Sequence, residues 1–136
     1  MGIQPGRALK PDKNPCPCGS LRDYQQCCGL LHEGAPADNA PSLMRSRYTA
    51  YVLSNEAYLL DTWRPSTRPR HISFDQQQRW LGLKVIEAKL TGGAAAEVEF
   101  IARYRIGGAT AARLHERSRF VRDAGRWLYV DGDILG

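Results

Sequence analysis

Residues 97–120 read EVEFIARYRIGGATAARLHERSRF, and the fold class turns on how this stretch pairs with itself. Val98, Phe100, Ala102, Tyr104 and Ile106 alternate with Glu97, Glu99, Ile101, Arg103 and Arg105, the period-two pattern of a half-buried strand. Gly107 and Gly108 mark a turn, after which Leu114, Glu116, Ser118 and Phe120 share one face of a second strand. A two-residue loop would oppose Tyr104 with Ala111 and set Leu114 on the face of Ile101 and Arg103. A three-residue loop, or an equivalent bulge, sets Leu114 and Phe120 with Phe100 and Ala102. The second register unites the apolar sets and is the one expected, because a one-residue slip turns every side chain to the other face. It also carries Glu116 and Ser118 onto the covered face. A carboxylate there needs a partner, and Arg45, Arg47 and Arg103 are the candidates.

Working outward, residues 83–90 (LKVIEAKL) form a preceding strand, with Gly92 and Gly93 as the turn. Ala124 and Gly125 lead into a last strand over residues 126–130. Upstream the period changes. Asp38 or Asn39 caps a helix with Pro41 in its first turn, and Leu43, Met44, Tyr48, Tyr51 and Val52 recur at helical spacing. Asn55 starts a second helix with Leu59, Leu60 and Trp63 on one side, ended by Pro65. Ser73 and Gln76 resemble a capping box that opens a helix through Trp80. Helices followed by an antiparallel meander mean α+β. The order is compatible with a cone-like, nuclear-transport-factor-2-like fold, in which a curved sheet wraps around helices.

The chain has 136 residues, 43% hydrophobic and 24% charged, with a formal net charge of +5. This length suits one main domain with a small appendage, and such a domain does not need cysteines to hold a core. The arginines are dispersed, which argues against nucleic acid as a partner. No apolar run approaches a membrane span. MGIQPGRALKPDKNP lacks the apolar middle of a signal peptide, so a cytoplasmic location with reduced thiols is expected.

All four cysteines fall within residues 16–28, spaced C-x-C-x8-C-C. Four sulfurs are what a closed structural zinc site requires. Disulfides are the alternative, but a bridge between adjacent Cys27 and Cys28 is strained. His32 is a second alternative, as a replacement ligand. Zinc held by Cys16, Cys18, Cys27 and Cys28 is the favoured reading: one structural ion whose binding supplies folding energy to a segment with few apolar contacts of its own. Pro17 and Gly19 shape the first turn. Ser20 and Asp23 read as a capping box for helical turns over residues 21–26, and Tyr24 as the cover of the metal.

CPCGSLRDYQQCCG (residues 16–29) resembles the SEC-C motif, the zinc-binding tail of the SecA translocation ATPase, which docks on the chaperone SecB. LMRSRYTAYVLSNEAYLLDTWRPSTRP (residues 43–69), EVEFIARYRI and LHERSRFVRDAGRWLYVDGD (residues 114–133) resemble the bacterial YchJ-like family in the same order. The resemblance implies a flexible N-terminus over residues 1–13, a SEC-C-like zinc unit over 14–34, and a nuclear-transport-factor-2-like α+β domain over 35–136. It implies fold and metal but no reaction.

Two functional readings follow. In the first, a non-enzymatic adaptor presents Leu21, Tyr24, Leu30 and Leu31 beside Lys13 and Arg22 to a protein partner of chaperone, translocation or ribosome-associated kind. This reading leads, because a closed metal site is the strongest motif. In the alternative, Arg47, Trp63, Arg103, Glu116, Arg119 and Asp131 line the mouth of the cone and bind a small anionic ligand or support a reaction. An internal ion-pair network, with Tyr48, Trp63 and Trp127 as ordinary core, accounts for the same residues. No P-loop, dinucleotide fingerprint or nucleophile elbow is present. His71 and His115 have no evident carboxylate partner in sequence, so no catalytic residue is assigned.

Overall fold

The computed structural model describes residues 14–136. Lys13 and the expected flexible N-terminus lie outside the described residues. A 3-10 turn at Tyr24–Gln26 leads to helix α1 (Cys28–His32), then α2 (Ala40–Val52) and α3 (Glu56–Asp61). Four strands follow: β1 (Gln78–Gly92), β2 (Ala95–Ile106), β3 (Ala112–Asp123) and β4 (Arg126–Ile134). They form one antiparallel sheet in the order β1-β2-β3-β4. The architecture is α+β, three helices on an open curved sheet. No helix of the described residues is long and apolar enough to cross a membrane.

Helix starts follow their side-chain caps. Asn39 accepts from the Ser42 N–H at 2.8 Å, with Pro41 in the first turn of α2, and Asn55 accepts from the Tyr58 N–H at 3.1 Å to begin α3. Two expected capping boxes do not form. Ser20 bonds the Cys27 sulfur and the Arg22 N–H instead, and Asp23 accepts from the Asn14 N–H at 2.9 Å. Residues 73–77 form a loop whose only side-chain turn is Asp75 accepting from the Gln77 N–H, and Trp80 lies in β1. The strand prevails there because Trp80 pairs with Tyr104 and packs on Tyr48 and Tyr51, a tertiary gain larger than a cap.

The register between β2 and β3 opposes Ala102 with Leu114, Phe100 with Glu116, Val98 with Ser118 and Ala96 with Phe120. This is the three-residue-loop register, and the apolar sets meet on one face. β1 carries register shifts between Trp80 and Gly82, Val85 and Glu87, and Leu90 and Gly92. Each inserts an extra residue and bends the strand. The sheet thereby curves around α2, whose Leu43, Met44 and Tyr48 join Val98, Phe100, Ala102 and Phe120 in one core. Beyond the fourth strand, Trp63 bridges Tyr129 in parallel, with the Arg64 N–H donating to Tyr129 O at 2.7 Å. This contact ties the end of α3 to β4.

Candidate functional site

Two constellations lie on opposite faces of α2. On one face, the four cysteine sulfurs all fall within 4.8 Å of one another and all four residues are buried. The Cys18 and Cys27 sulfurs are 3.7 Å apart. Sulfurs bound to one ion at about 2.3 Å in a tetrahedron stand about 3.8 Å from each other, so the cluster has the dimensions of a single-ion site. Gly19 adopts φ +85° in the turn after Cys18, with its N–H on the Cys16 carbonyl at 3.2 Å. Gly29 lets the second pair close on the first: a Cβ there would stand 2.6 Å from the Tyr24 carbonyl oxygen.

The sulfurs are embedded in hydroxyls. Thr49 of α2 donates to Cys28 Sγ at 3.3 Å and stands 3.7 Å from Cys16 Sγ, while the Ser20 hydroxyl is 3.1 Å from Cys27 Sγ. A hydrogen bond with Cys28 draws the Cys18 thiol down to about 4, and the same bond together with burial pushes the Cys28 thiol far up. Burial raises Cys16, opposed by the N–H groups of Cys18 and Cys28 and the Thr49 hydroxyl. A metal ion entering the cluster would displace the protons of its thiols. The residues fit such an ion.

His32 is engaged elsewhere. Its Nε2 donates to the Ser46 carbonyl at 2.8 Å, so its Nδ1 accepts from the Tyr24 hydroxyl at 2.7 Å. Burial lowers its pKa, and the neutral ring cross-links the cysteine unit to α2. Arg45 adds a bond to the Cys18 carbonyl at 2.9 Å.

On the other face of α2, a cavity of about 700 Å³ opens between the helix, the concave face of the sheet and the loop at Ser73–Gln76. Met44, Tyr48, Trp80, Phe100 and Leu114 supply apolar wall; Arg47, Tyr51, Glu116, Ser118 and Tyr129 supply polar groups. Arg47 is only 5% exposed. Its guanidinium carbon lies 4.5 Å from the Tyr129 ring centre and 4.9 Å from that of Trp63. Its Nη1 donates to the Leu59 carbonyl at 2.8 Å and to Thr62 Oγ1 at 2.7 Å. Burial lowers its pKa to about 10, so it stays charged at neutral pH. Glu116 Oε2 accepts from Ser118 at 2.7 Å and from Tyr129 at 3.2 Å. The partner expected for this carboxylate was an arginine, but two hydroxyls hold it. Burial, reinforced by Glu116, raises the Tyr129 hydroxyl far above its ordinary value, so it remains a donor.

The structure divides the six residues expected at the cone mouth. Arg47 and Glu116 line the cavity; Trp63 does not, but packs against Arg47 and Tyr129, with its indole Nε1 buried without a partner among the described residues. Arg103, Arg119 and Asp131 lie on the convex face. There Arg119 forks to Asp131 at 2.6 Å and to Asp133 at 2.7 Å, and Arg103 is exposed. His115 also faces outward, with a carboxylate after all: Glu99 at 2.6 Å. Tyr48 and Trp127 are buried core. Tyr51, Ser118 and Tyr129 were not singled out as a site. The placement of Tyr51 four residues after Arg47 was the available signal, since i and i+4 share a helix face. On the cysteine unit, Leu21 is 92% exposed and Leu30 is 49% exposed, and Arg22 is exposed too. Tyr24 and Leu31 turn inward, the first against the cysteine core and the second against Ala50 and Tyr58.

The chain matches the family described as "YchJ, middle NTF2-like domain" over residues 39–132 and the SEC-C motif over residues 13–30. It is 57% identical to a UPF0225 protein of Xanthomonas oryzae pv. oryzae over 87% of this chain and 93% of that protein. It is 54% identical to a UPF0225 protein of Cupriavidus pinatubonensis over 96% of this chain and 95% of that protein. The solution structure of a SEC-C motif containing protein from Rhodopseudomonas palustris superposes with a TM-score of 0.79 at 36% identity. It covers 90% of this chain and 100% of that one. A crystal structure of a SEC-C motif containing protein from Psychrobacter arcticus gives a TM-score of 0.72 at 25% identity, over 93% and 84%. The chain belongs to the YchJ-like, UPF0225 family.

Proposed function

For this member of the YchJ-like family, we propose small-molecule binding in the cavity between α2 and the sheet, with the cysteine cluster carrying one structural zinc ion. The observation that supports the reading most is the convergence of Arg47, Tyr51, Glu116 and Tyr129 on a cavity of about 700 Å³ with aromatic walls. Charged groups so placed are costly in a purely structural core, whereas apolar walls with a few polar groups are the usual composition of a ligand site. Four thiolates suit zinc and leave it no open position, so the ion acts on the fold and not on a substrate. Reduced thiols of this kind fit a cytoplasmic setting. Saturation-transfer NMR with a panel of small aromatic compounds tests the cavity. Some members should give signals with the native chain and lose them in Leu114→Trp, which fills the space. Equal signals in both chains, or none in either, overturn the reading.

A second reading has its own observation. Leu21 is 92% exposed and holds φ +69°, a strained conformation for a leucine. With Leu30 and Arg22 it offers a protein partner, of chaperone, translocation or ribosome-associated kind, a small apolar patch with a basic rim. This surface ranks second because Tyr24 and Leu31 are committed inward.

A further inference from the structure

The polar groups of the cavity carry a more specific message, which rests on the cavity being the binding site. Arg47 has five N–H donors. Its two hydrogen bonds both leave from Nη1, so Nε and Nη2 have no acceptor among the described residues. It also forms no ion pair among them, although it is 5% exposed. Glu116 spends Oε2 on Ser118 and Tyr129, and its Oε1 has no donor among the described residues. Both side chains line the same cavity. Tyr51 lines the same cavity.

The cavity therefore offers unused donors from a cation and an unused acceptor from an anion. Their charges cancel. At the mouth, Asp75 and Arg79 cancel again. A net anion would gain Arg47 and be opposed by Glu116; a net cation would meet the reverse. A neutral group with an acceptor beside a donor satisfies both. Tyr48, Trp80 and Phe100 along the wall favour a flat aromatic body behind that group.

We infer that the cavity selects a neutral, planar aromatic amide or lactam, the hydrogen-bonding class of nucleobase-like heterocycles. Its carbonyl accepts from Arg47 and its N–H donates to Glu116. This departs from the anionic ligand expected of paired arginines, because Arg103 and Arg119 lie on the far face of the sheet.

Benzamide, benzoate and benzamidine form a matched series: the same ring with a neutral donor–acceptor group, an anion and a cation. Titrations of all three into the native chain, followed by ligand-observed NMR, should rank benzamide at least about tenfold tighter than either charged analogue, the factor for one charge-assisted hydrogen bond. In Glu116→Gln, whose fold is checked by its amide spectrum, benzoate should gain about tenfold, because the new amide donates where the carboxylate repelled, while benzamide loses several-fold with its charge-assisted bond to the carboxylate, so that benzoate overtakes it. If benzoate or benzamidine binds the native chain as tightly as benzamide, or if Glu116→Gln leaves the ranking unchanged, the proposed ligand class is wrong while the cavity remains a site. If none of the three binds and the aromatic panel also gives no signal, the cavity reading falls with it.

Discussion

Gly29 shows at the scale of one residue how a local preference loses to a contact. It lies in α1, where alanine is ordinarily favoured over glycine by about 1 kcal/mol. Here a Cβ would press on backbone, 2.6 Å from the Tyr24 carbonyl oxygen and 3.1 Å from the Tyr24 ring. Backbone yields little, so Gly29→Ala should destabilise the chain by about 1–3 kcal/mol in chemical unfolding. A gain in stability would mean that Tyr24 and the second cysteine pair are free to separate. Glu99 makes a different point, on the convex face. Its hydrogen bond to His115, with help from Arg117, holds its carboxyl below the usual carboxylate range. A depressed folded pKa stabilises the fold above the unfolded value of about 4.5 and loses that contribution as pH falls through the folded value. Urea midpoints measured against pH should therefore drop less steeply below pH about 4.5 in Glu99→Gln than in the native chain.

Helix α2 is the element that touches both constellations. Its Ser46 carbonyl and Thr49 hydroxyl hold His32 and Cys28, while Arg47, Tyr48 and Tyr51 face the cavity. Thirteen residues thus join the cysteine cluster to the cavity through one helix. Removing the metal with a chelator leaves buried sulfurs that must find protons or repel. The expected loss is several kcal/mol, a fall in melting temperature on the order of 10 °C or more. Aromatic ligand signals should weaken together with it, as Arg47 and Tyr51 lose their fixed support. A stripped chain that keeps both its melting temperature and its ligand signals would show that α2 holds its place without the metal.

At the scale of the whole molecule, the division at residues 34 and 35 can be weighed against the core. Val98, Phe100, Ala102, Phe120, Leu43 and Met44 all come from the later part and share one buried cluster, which favours its folding by itself. Yet the cysteines join the same cluster, and the unit covers the face of α2 that carries Ser46 and Thr49, both fully buried. A chain lacking residues 1–34 should still unfold cooperatively, but with a melting temperature reduced by roughly 10 °C or more, the shift for a few kcal/mol of lost burial. Absence of a cooperative transition would make the two parts one folding unit.

Sequence by itself determined the alternation of β2 and β3, their three-residue-loop register, helix starts at Asp38 or Asn39 and at Asn55, and the clustering of the four cysteines at a spacing that suits a metal ion. These are local or pairwise properties, written in periods, turn residues and ligand counts. Tertiary structure alone decided three things. It drew Trp80 into a strand, because cross-strand and helix contacts outweigh a capping box. It brought Arg47 of α2 beside Glu116 of β3 in one cavity, a helix-to-sheet contact that no strand alternation can state, whereas the alternation itself already set Arg103 and Arg119 on the other face of their strands. It turned Tyr24 and Leu31 inward, because a helix as short as α1 has no periodicity long enough to declare its buried side, and only the surface of α2 defines which side that is.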